Sequence, residues 1–190
     1  MYFFEEGPLG LRPMEQTEQD YVQLHAWLAD ARIADYYGGL NSRPMLQEVR
    51  RKYEPRVLGE EPVVPCIAEY EGIPLGYVQF YPVEEAEYDC RGLVDFSLYA
   101  KPMAVDLFLG QPERWNQGLG SRLLRALCRY LSDEVGADAI FIDPRLNNPR
   151  AIRCYEKAGF RRLCVIPQRE EMDGRRWDNL MMRWTKGEQK

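Results

Sequence analysis

The sequence predicts an α/β fold on a mixed sheet, in the order strand, two helices, three strands, helix, strand, helix, two strands. Three observations carry that expectation. Apolar residues recur at helical spacing through most of the second half, most regularly from Leu119 to Val135. Glu71-Gly72 and Asp173-Gly174 are hairpin turn signals, each between two strand-like runs. A short apolar strand at Val105–Gly110 leads into a glycine-bearing loop that opens the Leu119 helix. The order is not that of a doubly wound parallel repeat.

Leu9 to Pro13 reads as the first strand. Thr17 is a fair N-cap for a helix to about Ala31, with Tyr21, Leu24, Trp27 and Leu28 on one face. Tyr36-Tyr37-Gly38-Gly39 breaks that helix, and Ser42 with Pro44 starts a second one carrying Met45, Val49 and Tyr53. Val63–Tyr70 and Pro74–Tyr81 form a hairpin, followed by the strand around Asp106. Gly136 supplies the stop for the Leu119 helix. Ala139–Ile142 is a short buried strand ending in Asp143-Pro144. Asn148 caps and Pro149 begins a helix that stops at Ala158-Gly159, and Phe160–Ile166 and Trp177–Trp184 close the sheet.

No repeat or low-complexity linker divides the 190 residues, so residues 1–190 are expected to form one domain. Hydrophobic residues at 45% and charged residues at 29% mark a globular chain, and no apolar run is long enough for a membrane helix. The acidic start after Met1 does not read as a signal peptide. Five scattered cysteines form no CxxC pair and have no neighbouring histidine, which argues against a disulfide framework or a metal site and for the cytoplasm. A net charge of −5 argues against nucleic acid as the main partner. Glu84, Glu85, Glu87 and Asp89 read as solvated loop charge or as a rim that gathers a cationic substrate.

The loop Trp115-Asn116-Gln117-Gly118-Leu119-Gly120-Ser121-Arg122 places unpaired amides and the positive end of a helix dipole together. That is a site for a phosphate, and Gly118 and Gly120 leave the backbone open to a bulky ligand. Asp106 is a carboxylate inside an apolar strand, a position that needs a partner or a purpose. His25 lies on an early helix remote in sequence from these loops. Cys128 falls on an apolar helix face, and neither it nor Cys154 has a histidine partner, so both read as core.

The glycine loop after the fourth strand, followed by Asn148-Pro149-Arg150-Ala151-Ile152-Arg153-Cys154-Tyr155-Glu156-Lys157-Ala158-Gly159-Phe160 after the fifth, resembles the GCN5-related N-acetyltransferases (GNAT). Within that superfamily the likeness is greatest to aminoglycoside 6′-N-acetyltransferases. It also takes in Tyr36-Tyr37-Gly38-Gly39, the Asp106 strand and Asp143-Pro144, and so spans nearly the whole chain. One departure is Trp115, which stands where the superfamily usually has Gln or Arg.

The resemblance implies a splayed central sheet flanked by helices, with acetyl-CoA as cosubstrate and no metal. The pantetheine would lie along Leu107, Phe108 and Leu109. The pyrophosphate would sit on the amides of Gln117, Gly118, Leu119, Gly120, Ser121 and Arg122, after Trp115, and Asn148 would hydrogen-bond the pantetheine or the adjacent chain. Asp106 would accept the proton of the attacking amine and Tyr155 would protonate the leaving thiolate. Tyr36, Tyr37, Asp106 and Asp143 would meet a polycationic aminoglycoside, by charge and by aromatic faces. No nucleic acid or membrane partner is implied, and the assembly is expected to be a monomer or a homodimer. Two other readings remain at this point: an acyltransferase for a siderophore precursor or other small amine, and a non-catalytic acyl-CoA-binding module.

Overall fold

The structure is a computed structural model that describes residues 1–39, 43–83, 90 and 92–187. The chain gathers into two compact units, Met1–Tyr81 with Asp106–Gln117, and Pro82–Val105 with Gly118–Lys190.

In the first unit, β1 (Phe4–Glu6), β2 (Leu9–Pro13), β3 (Val64–Tyr70) and β4 (Ile73–Pro82, of which Pro82 falls in the second unit) pair antiparallel in that order. The β3–β4 turn has positive φ at both Glu71 (54°) and Gly72 (74°), as a two-residue hairpin requires. The second half of β5 (Pro102–Leu109) follows β4. Helices α1 (Glu18–Ala29), α2 (Ala31–Ala34) and α3 (Leu46–Val57) complete the unit. Thr17 caps α1 through a bond from the Asp20 amide. Buried Tyr21, Leu24, Trp27 and Leu28 pack with Val49 and Tyr53 of α3 and Ile67 and Tyr77 of the sheet.

The first half of β5 pairs parallel with β6 (Ala139–Ile142) in the second unit. β6 pairs antiparallel with β8 (Arg175–Trp184), and β8 with β7 (Arg161–Met172). The sheet is therefore mixed, as the sequence predicts. Helix α4 (Leu119–Tyr130) continues into a wider turn at Leu131–Val135 and stops at Gly136, whose φ is 82°. Helix α5 (Pro149–Ala158) begins at an Asn148 cap and ends at Gly159 with φ 103°.

Four local differences separate sequence from structure. The strand Phe4–Glu6 precedes the first expected one; three residues with two charges give no apolar alternation to read. The first helix ends at Asp30, whose side chain caps α2, so an extra short helix precedes the Tyr36-Tyr37 pair. The next helix starts at Leu46 rather than at Ser42 and Pro44, because the Glu48 carboxylate accepts from the Met45 amide and fixes the first turn there. Ser42 lies outside the described residues. The closing hairpin is longer than expected, since β7 runs on past Ile166 through a register shift at which Gln168 has φ 50°.

Candidate active site

Asp106 sits in β5 of the first unit, half-buried, and accepts two side-chain hydrogen bonds on Oδ2. Gln79 Nε2 donates at 2.7 Å and Tyr81 Oη at 3.1 Å, both from β4. The carbonyl end of Gln79 accepts from Arg56 Nη1 at 2.9 Å and from Tyr77 Oη at 2.9 Å. Arg56, on α3, is in turn held by Glu61 at 2.9 Å. The strand carboxylate thus has the partners its position demands.

Phe108 lies two residues on, on the same face of β5. Its ring centroid is 4.8 Å from Tyr37 and 5.8 Å from Tyr77, and Tyr53 meets Tyr77 edge-on at 5.4 Å. Burial, and then the neighbouring Tyr53, Tyr77 and Asp106, hold the Tyr37 hydroxyl well above the ordinary tyrosine range. Burial does the same for Tyr77. These phenols stay neutral at physiological pH and present donors and flat aromatic faces. Tyr36, by contrast, is exposed. A cavity of about 290 Å³ opens beside Tyr37 and Tyr53, with Leu28, Val49, Glu48 and Lys52 among its walls.

Past Phe108 the chain turns sharply. Trp115 Nε1 donates to the Leu109 carbonyl at 2.9 Å, and the Gly110 amide donates to Leu75 at 2.8 Å. A Cβ on Gly110 would lie 2.3 Å from the Trp27 ring, so only glycine fits. The Trp115 ring packs against the core of the first unit and fixes the carbonyl at the end of β5. Gln117 is exposed and its amide is turned back to the Glu113 carbonyl, which leaves the backbone for any ligand contact.

In the second unit, Gly118 is the N-cap of α4 in the left-handed conformation, with φ 79° and no side-chain cap. The first-turn amides therefore have neither an intrahelical carbonyl nor a capping oxygen. The first turn contains no acidic residue to offset the dipole, and a Cβ at Gly118 would meet nothing within 4 Å. Leu119, Gly120 and Ser121 are buried, Ser121 Oγ donates to the Gly118 carbonyl at 2.9 Å, and Arg122 is half-buried. This is the electrostatics of an open anion site.

Asn148 caps α5 by accepting from the Ala151 amide at 3.1 Å, which commits Oδ1 and leaves its NH₂ group for other work. Tyr155 is buried on α5, 6.2 Å from the Phe160 ring. Asp143 accepts from Arg169 at 3.0 Å and from Asn179, so part of its charge is already offset. Cys128 is buried in α4, and burial pushes the half-buried Cys154 thiol up to about 11, as suits unreactive packing groups. The acidic run Glu84–Asp89 lies outside the described residues. Among the described residues no group of side chains is arranged to hold a metal, and no helix is long and apolar enough to cross a membrane.

Residues 16–167 match the family of the acetyltransferase (GNAT) domain. The chain belongs to the GNAT acetyltransferases. It is 37% identical over 155 residues to the aminoglycoside N(6′)-acetyltransferase type 1 of Klebsiella pneumoniae, covering 77% of this chain and 71% of that protein. The crystal structure of aminoglycoside acetyltransferase AAC(6′)-Ib with coenzyme A and kanamycin has a TM-score of 0.77. It is 32% identical, over 95% of this chain and 96% of that one. An N5-hydroxyornithine acetylase of Beauveria bassiana is 25% identical over 161 residues, which is 82% of this chain and 28% of that protein. In this GNAT chain the cosubstrate is acetyl-CoA, and the uncapped start of α4 fits its phosphates.

Gln79, Tyr81, Tyr53 and Arg56 join the site although sequence reading passes them over. A signal was present for part of the set. Tyr77, Gln79 and Tyr81 alternate along one strand face, and a polar residue within such a buried run calls for a partner.

Proposed function

We propose that this GNAT acetyltransferase transfers the acetyl group of acetyl-CoA to the 6′-amine of aminoglycosides, an antibiotic-resistance activity. The observation that carries the reading is Asp106, a hydrogen-bonded carboxylate set into a wall of neutral tyrosines. A carboxylate recruits an ammonium, and flat aromatic faces suit sugar rings and cations. The similarity to the aminoglycoside acetyltransferases supports it.

In the reaction the acceptor ammonium loses a proton to Asp106, directly or through water. The free amine then attacks the thioester carbonyl carbon; the C–N bond forms and the C–S bond breaks. The departing thiolate takes a proton, for which Tyr155 is the assigned donor. Backbone amides along Leu107–Leu109 polarise the carbonyl as charge develops on its oxygen. The amides of Gly118–Ser121 hold the pyrophosphate, since that of Arg122 already donates to the Gly118 carbonyl, with Asn148 Nδ2 toward the pantetheine. Tyr36, Tyr37 and Asp143 contact the acceptor. All five cysteines are free thiols, in keeping with action in the cytoplasm.

A thiol-release assay with acetyl-CoA and kanamycin tests the reading, with a hydroxyl-for-amine 6′ analogue as the blank. Turnover that requires the 6′-amine is expected, and Asp106→Asn should lower kcat by at least about 100-fold, the reach of a general base. Turnover on neither compound, or an Asp106→Asn variant at full rate, would refute it. The likeness to the fungal acetylase favours N5-hydroxyornithine as the second acceptor to try in the same assay.

A further inference from the structure

We propose that Arg56 is a positioning residue for acyl transfer, acting on Asp106 through the Gln79 amide. The inference rests on the reading of Asp106 as the group that takes up the acceptor amine. A glutamine amide has nearly the same shape in both orientations, so its neighbours decide which end faces where. Here Arg56 Nη1 and Tyr77 Oη, two donors, both reach Gln79 Oε1 at 2.9 Å. The NH₂ end must then face Asp106, where it donates at 2.7 Å. With Gln79 reversed, an NH₂ group would confront the guanidinium while a carbonyl confronted the carboxylate. Both contacts are repulsive, and the amide is buried away from water that could relieve them.

Arg56 is itself fixed. Its Nε donates to Glu61 at 2.9 Å, and its guanidinium lies 5.4 Å from the centre of the Tyr53 ring. Among the described residues, Gln79 and Tyr81 from β4 bond Asp106, and Tyr53 from α3 and Tyr37 after α2 are raised by burial and then by its charge. Burial holds Tyr37, Tyr53 and Tyr77 as neutral phenols, and Arg56 is the cation that the Gln79 amide meets. Arg56 therefore acts at a distance: it sets the amide that aims the carboxylate. Lysine in its place keeps the charge but not the paired geometry that binds Glu61 and Gln79 together.

The test is a double-mutant cycle on Arg56→Ala and Gln79→Leu, with Arg56→Lys as the conservative partner and Asp106→Asn as the control on the underlying reading. Arg56→Ala should lower kcat about tenfold, the usual scale for one hydrogen bond to a charged group, with the KM for acetyl-CoA unchanged. Arg56→Lys should recover part of that loss. In the Gln79→Leu background the Arg56 substitution should cost less than about twofold, since the path to Asp106 is already cut. Multiplicative losses in the double variant, or no recovery in Arg56→Lys, would overturn the proposal while a dead Asp106→Asn left the parent reading standing. A fully active Asp106→Asn would remove both. If Arg56→Ala does not fold, the same cycle is read on Arg56→Lys, where multiplicative losses likewise overturn it.

Discussion

Replacing Gly76 with alanine probes the closest backbone approach in the first unit. Gly76 pairs with Ala68 across the β3–β4 ladder, and its other neighbour is β5. A Cβ placed there would lie 2.3 Å from the Phe108 carbonyl oxygen and 2.9 Å from the Leu109 Cα. A relaxed carbon–oxygen contact is about 3.3–3.6 Å, so the strands must part by about 1 Å. Both obstructing atoms belong to the backbone and cannot rotate away. Overpacking of this kind costs about 1–3 kcal/mol, and disturbing a ladder hydrogen bond adds about 1 kcal/mol. The lower entropy of an unfolded alanine returns about 0.4–1 kcal/mol. The net is about 2 kcal/mol, or a fall in Tm of about 4–8 °C for a chain of this size.

Gly10→Ala is the internal comparison. Its Cβ would meet only the Tyr2 ring, at 2.8 Å, and that side chain is free to swing outward at 39% exposure. The loss is then the Tyr2 bond to Glu69, about 1 kcal/mol and about 2–4 °C. Thermal melts followed by circular dichroism measure both variants. Thiol release at a temperature where each is folded tests the site, since Gly76→Ala displaces the strand that carries Asp106 while Gly10→Ala does not. A Gly76→Ala melt equal to or above that of Gly10→Ala would refute the packing argument.

Gly118→Ala should cost about 1–2 kcal/mol, because alanine resists a φ of 79°, and should raise the KM for acetyl-CoA several-fold with the aminoglycoside KM unchanged. The protein itself leaves room for that methyl group, so an unchanged acetyl-CoA KM would mean that no phosphate rests there. The Cys154 thiol, which burial pushes up to about 11 against the opposing pull of Lys157, Arg150 and Arg125, should react slowly with maleimide at pH 8. The unfolded thiol ionises near its ordinary pKa of 9.0 while the folded one holds its proton. Its contribution to stability is therefore full below pH 9 and is lost as pH rises toward 11. A Cys154→Ala chain that declined just as steeply across that range would contradict the assignment.

Much of the second unit was legible because its signals are local. Asn148, Pro149 and Gly159 set the ends of α5 by capping, by a fixed φ and by a left-handed stop, each acting within a turn of its own position. The same holds for α4 and Gly136. The strand Phe4–Glu6 and the far half of β7 carried no such signal, since pairing with a neighbour rather than alternation defines them.

Asp106 could be singled out from sequence alone, as a charge in an apolar strand. Its partners could not. Gln79 lies 27 residues away and Arg56 a further 23, on a strand and a helix whose approach only packing fixes. Trp115 shows the same division: its place in the sequence marks the cofactor loop, and its folded place ties down the end of β5. The sequence by itself determined most of the elements, the glycine loop and the carboxylate set in an apolar strand, through rules that span a turn or a strand. The tertiary structure decided which amide faces that carboxylate and which cation stands behind it, because hydrogen bonds and charge act through space between elements distant in the chain.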